Sequence, residues 1–176
     1  MPSSRIKRKN RKHSGTFLAE LPAVLYLLFI GIAVPMLILG SMFGRAFLLY
    51  SATQDACIQA ARSRSFTEAK TTMTSVFNNG VSSWTGLSGT PTFSVLVKPL
   101  TASASQVKTS PLPDGSIQIS QNVYLARVVV DGQIDPLIHF SGSGGWQGMK
   151  IPGLTEPYPL TMSHVSYFEN PQGLTD

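Results

Sequence analysis

Acidic residues are absent before Glu20, and cysteine is nearly absent throughout. The single cysteine, Cys57, excludes an intramolecular disulfide. It leaves two readings: a small buried apolar residue, or a bond between copies in an oxidising compartment. "TQDAC" argues against lipidation, because Gln54 stands where a lipoprotein site takes Leu or Val. His13, His139 and His164 are scattered, with no i, i+4 pair and no cysteine spaced for zinc. No serine sits in a G-x-S-x-G elbow. In "SGSGGWQG" (141–148), Gln147 replaces the last glycine of G-x-G-x-x-G. The expectation is a protein that is not an enzyme and takes no cofactor and no metal.

Fourteen Lys and Arg against nine Asp and Glu give a formal charge of +5. Such a balance suggests an acidic partner, but its distribution points elsewhere. Arg5, Lys7, Arg8, Lys9, Arg11 and Lys12 all precede Gly15. Taking those six from fourteen leaves eight basic residues against nine acidic, a net of −1 for the remainder. A basic flank before an apolar run sets membrane orientation more often than it binds nucleic acid, so no nucleic acid is expected.

The 24 residues from Leu21 to Gly44 carry no charge. As a helix they extend about 36 Å, against a bilayer core of about 30 Å. The basic flank places the N-terminus in the cytoplasm and the remainder beyond the cytoplasmic (inner) membrane, with one pass and contact with membrane lipid. An ordinary cleaved signal has an apolar core of about 7–15 residues, and "FLLYSATQDA" is a poor small-x-small site. Pro22 falls in the first turns, where a missing N–H costs little. Pro35 falls mid-span and predicts a kink or local loosening. Gly40 and Gly44 are four apart, on one face, where another helix could approach closely.

Glu20 is the residue that a plain anchor does not explain. Insertion of an acid costs about 2.5–3.5 kcal/mol at the centre of a span and less near its end. Near the helix start it could reach the headgroups and suit the helix dipole. The spacing offers a second reading. "RKHSG" followed by "TFLAE" resembles the processing site of type IV prepilins and pseudopilins. After the span, "FGRAFLLYSATQDACIQAARSRSF", with Ala60-Ala61-Arg62, resembles TadE-like and TadG-like proteins of the tight-adherence (Flp) pilus machinery. The end, "YPLTMSHVSYFENP", resembles their last strand. The likeness is good over residues 5 to 66 and loose beyond.

This resemblance implies that a prepilin peptidase cuts after Gly15 on the cytoplasmic side, making Thr16 the N-terminus and Glu20 the fifth mature residue. The new α-amino group is cationic at neutral pH, and Glu20 could pair with it, in its own or a neighbouring subunit. The implied partners are the prepilin peptidase, other pilin or pseudopilin subunits and the inner-membrane pilus assembly platform. Incorporation into a pilus would follow, as pseudopilin, minor pilin or assembly factor. Thr16 stands where major pilins commonly have Phe, which leaves N-methylation open. The alternatives are an unprocessed single-pass protein with an extracytoplasmic binding or sensing domain, and a membrane-anchored enzyme.

Beyond the span, Ala52, Ala56 and Ala60 recur every four residues, with Phe47, Cys57, Ile58 and Ala61 nearby, and predict a helix packed closely along a narrow stripe. "NNG" (78–80) reads as its stop. "TFSVLVK", "SIQIS" and "PLTMSHVSYFE" read as strands. In "NVYLARVVVDGQIDPLIHF", Asp131-Gly132 reads as a hairpin turn. "SGSGGWQG" reads as a loop, and Trp84 and Trp146 as core or loop anchors, with contact to a partner or a glycan as the alternative. The expected fold is α+β: a long N-terminal transmembrane helix extending into a small antiparallel sheet. The segments are a leader over 1–15, a transmembrane helix over 16–44, a helix continuation over 45–80 and a β-rich domain over 81–176.

Overall fold

The computed structural model describes residues 16–101, 104–137, 152–153 and 156–176. They fall into two compact units, one ending at Gly40 and one spanning Ser41–Asp176.

The first unit is helical. It contains α1 (Thr16–Leu28), a π turn (Phe29–Ala33) and the start of α2 (Val34–Ala61). The π turn has a local cause. Pro35 has no N–H for the carbonyl four residues back, that of Gly31, and its ring would collide with it. The backbone widens by one residue per turn over that stretch instead. Leu27, Phe29, Met36 and Leu37 are 64–72% exposed, so the chain itself leaves this apolar surface uncovered. The helix from Glu20 to Ala61 is long and apolar enough to cross a membrane.

The second unit sets the outer part of α2 and a second helix, α3 (Phe66–Ser82), against a four-stranded antiparallel sheet. Its strands are β1 (Leu87–Pro99), β2 (Gln106–Lys108), β3 (Asn122–Ile134) and β4 (Tyr158–Tyr167), in the order β2-β1-β3-β4. This is the α+β fold expected from sequence. Alternation makes the sheet two-faced. Phe93 and Val95 of β1 and Tyr124, Ala126, Val128 and Val130 of β3 are buried toward the helices. The alanine stripe of α2 is buried with them, together with Leu49 and Cys57. Phe47 is left out, at 68% exposure. From α3 come Phe66, Ala69, Met73, Phe77 and Val81, at the three- and four-residue spacing of one helix face.

Four expectations of detail change. First, the helix beyond the span is two helices, broken at Arg62–Ser65. Ser65 caps α3, its hydroxyl accepting from the Glu68 amide at 3.2 Å, while the Glu68 carboxylate accepts from the Arg64 amide at 2.7 Å. Second, α3 does not stop at "NNG". A Cβ on Gly80 would lie 3.1 Å from the Ala52 Cβ, so this glycine serves the close approach of α3 to α2. Third, Asp131-Gly132 is no turn, because β3 runs straight through it. Gly132 lies opposite Gly89 of β1. A Cβ there would come within 2.5 Å of Leu49 Cδ2, and one on Gly89 within 3.1 Å of Phe77 Cζ. The glycine pair therefore makes a notch that receives one side chain from each helix. Fourth, "SIQIS" is not a strand. It runs into a turn in which the Gln121 and Asn122 amides donate to the Gln118 carbonyl, and Gln106–Lys108 pairs with β1 in its place.

Candidate functional site

Glu20 is exposed on α1, at the fifth position counted from Thr16. It has no hydrogen-bond or ion-pair partner among the described residues. Just beyond it lie Leu21, Val24 and Leu25, all exposed, so an acid stands at the head of an apolar surface. Thr16 is helical. Gly15 lies outside the described residues, as do the basic leader and His13. So do His139, Trp146 and the "SGSGGWQG" stretch.

The two glycines of the expected helix-packing face are both exposed, and a Cβ at either would meet nothing within 4 Å. No other element of the described chain packs on Gly40 or on Gly44. Next to Gly44, and in the same unit, Arg45 turns toward the end of the sheet. Its guanidinium donates through Nη1 to the carbonyl of Asp135, just past the end of β3. Gly86, at φ +78°, lies against the same guanidinium, and a Cβ there would sit 2.9 Å from Nη1. Arg45 thus ties the lower part of α2 to two chain turns at one end of the sheet.

Cys57 lies at the opposite extreme from a reactive thiol. It is fully buried under the sheet, with Sγ 3.4 Å from the carbonyls of Ala126 and His164, to which it donates. Burial pushes its pKa up from 9.0 to about 11, against opposing hydrogen bonds from the backbone at Val128 and Ser166. Of the two readings for this residue, the geometry selects the buried apolar one, because no second copy can reach Sγ without opening the core. His164 lies on β4 and meets the Tyr50 ring edge-on at 6.2 Å. Among the described residues, no three His, Cys, Asp or Glu side chains come together as a metal set. Trp84 is 52% exposed and is not a core anchor.

Sequence reasoning missed the far end of the chain. The turn Pro171–Thr175 buries Leu174 and lies against the break between α2 and α3. The Asp176 main-chain oxygen accepts from the amides of Phe66 and Thr67 at 2.9 and 3.3 Å. With the Ser65 hydroxyl serving Glu68, the amides of Phe66, Thr67 and Glu68 in the first turn of α3 are all satisfied. The signal available was "SFTE", residues 65–68, a capping-box pattern.

No family model, no curated protein and no solved structure matches the chain.

Proposed function

We propose that this chain is a membrane-anchored pseudopilin or minor pilin of the tight-adherence type, processed between Gly15 and Thr16. The observation that carries the reading is an exposed carboxylate at the fifth helical residue, unpartnered among the described residues and heading a surface apolar enough for lipid. In this reading the N-terminus lies in the cytoplasm and the second unit beyond the inner membrane. A prepilin peptidase hydrolyses the Gly15–Thr16 amide with water, leaving the Gly15 carboxylate on the leader and an ammonium on Thr16. Glu20 pairs with such an ammonium, its own or a neighbour's, and so fixes the axial register of one subunit against the next. The other partners are pilin or pseudopilin subunits and the inner-membrane assembly platform.

Truncating one member of a desolvated charge pair costs about 2 kcal/mol or more, roughly thirtyfold in an association constant. Glu20→Ala therefore inserts at normal abundance and loses assembled filament by that order. Counting filaments and membrane-bound protein in the same cells checks this, and normal piliation of the variant would contradict the docking role.

A further inference from the structure

The two edges of the sheet differ. At one, no described residue pairs with β1 from Leu87 to Ser94, a stretch interrupted by Pro91, and the three-residue β2 covers Val95–Val97. At the other, β4 runs ten residues without Lys, Arg, Asp or Glu, and its one proline, Pro159, is near its start. Long uncharged edges are templates for another strand. The hydrogen-bond phase says which groups are free. The Phe168 amide donates to the Tyr124 carbonyl at 3.0 Å, so the even-numbered residues of β4 bond to β3. Those of Thr161, Ser163, Val165 and Tyr167 then point outward. The same phase at β1, fixed by the Leu100 amide on the Gln121 carbonyl at 2.8 Å, leaves Val107 as the outward-pointing residue of β2.

Across the face turned away from the helices, Val107, Leu96, Leu125 and Tyr167 are direct partners in one row. The row ends in the outward-pointing residue of each edge, and those two are the exposed ones, at 50% for Val107 and 73% for Tyr167.

Direction decides what can extend this row. Within the second unit, α2 runs the same way as β4. Leu49 lies beside Gly132, Cys57 beside His164, and the Ala61 carbonyl accepts from the Glu169 amide. The chain enters this unit at Ser41. Copies related by a simple translation in one membrane carry this part of α2 in the same direction, whatever its tilt. A twofold β4–β4 antiparallel pair would reverse one of them. Set side by side in the same direction, β4 of one copy faces β2 of the next, and these two strands are antiparallel.

We propose that copies of this chain anchored in one membrane associate head to tail, β4 of one pairing with β2 of the next, with Tyr167 opposite Val107 of that next copy. This register continues the apolar row without displacing either copy along its strands. Each two-residue slip would displace one copy by about 7 Å along its strands. The contact is heterologous and open-ended, the kind that builds arrays rather than closed dimers. Only one residue pair exchanges both backbone hydrogen bonds, so membrane confinement must supply the effective concentration. The proposal rests on the membrane anchoring proposed above and not on cleavage after Gly15.

The test uses the full chain carrying V107C and Y167C together, in native membranes, with mild oxidation and a non-reducing gel. Protease resistance equal to the parent chain establishes folding, and buried Cys57 does not compete. The expected result is a ladder through trimer and beyond for the double variant, and monomer for each single variant. The shifted pair V107C with T161C, about 20 Å out of register, gives no ladder. A Y167C single variant trapped as a dimer, or a folded double variant that stays monomeric, would overturn the proposal. The ladder should also form in Gly15→Leu. A missing ladder on protein whose N-terminus is Thr16 would therefore overturn the pairing and leave the processing intact.

Discussion

Glu20 and Cys57 are two ionisable side chains with opposite surroundings, and each makes a testable demand. Glu20 stands exposed beside apolar neighbours, so its effect should appear only when other subunits or lipid surround it. Cys57 is sealed under the sheet, so its effect should appear in the isolated chain. Its folded-state pKa, about 11, lies above the ordinary 9.0, so the native state holds its proton after the unfolded chain has begun to lose it. That contribution to stability is complete below pH 9 and is lost as pH rises from about 9 to 11, by an order of 2 kcal/mol. Denaturant titrations of wild type and Cys57→Ala at pH 8 and pH 10.5 check this. Wild type should lose stability between the two pH values, and the variant should lose less. An alkylating reagent at pH 8 should label Cys57 only in denaturant.

At the scale of elements, the second unit depends on how α3 begins. Ser65→Ala removes a side-chain cap and should cost about 1 kcal/mol, read as a shift of the unfolding midpoint. Gly173→Ala should cost more. Its Cβ would stand 1.5 Å from the Arg64 carbonyl oxygen, so the terminal turn must leave its place and take Leu174 and the Asp176 contacts with it. A loss of about 2–4 kcal/mol is expected, and thermal unfolding within a degree of wild type would contradict the account of this turn. These elements also show what could be read beforehand. The apolar helix, the alanine stripe and three of the four strands were legible, because long periodic patterns depend little on distant partners. The glycines misled. Gly80 and Gly132 look like a stop and a turn, but each makes room for a side chain remote in sequence, and local patterns carry no trace of such a neighbour. β2 was illegible for a related reason: three exposed residues have no buried face to write an alternation. Of the candidate site, Glu20 and its spacing were plain in sequence. The burial of Cys57 needed the fold.

For the whole molecule, the two units divide the labour. The first presents an apolar helical surface headed by one acid, and the second closes a small core under one face of a sheet whose other face is turned away from that core. Processing would join these features in one account, since only cleavage gives Glu20 an ammonium at its own end of the helix. Gly15→Leu should block that step, and a mature-size band from the variant would speak against prepilin-type cutting. The most direct measurement is the N-terminal residue of the protein isolated from its own cell membranes. The account predicts Thr16, released from the basic leader. An intact leader, with Arg5 to Lys12 still attached to the mature protein, would contradict it.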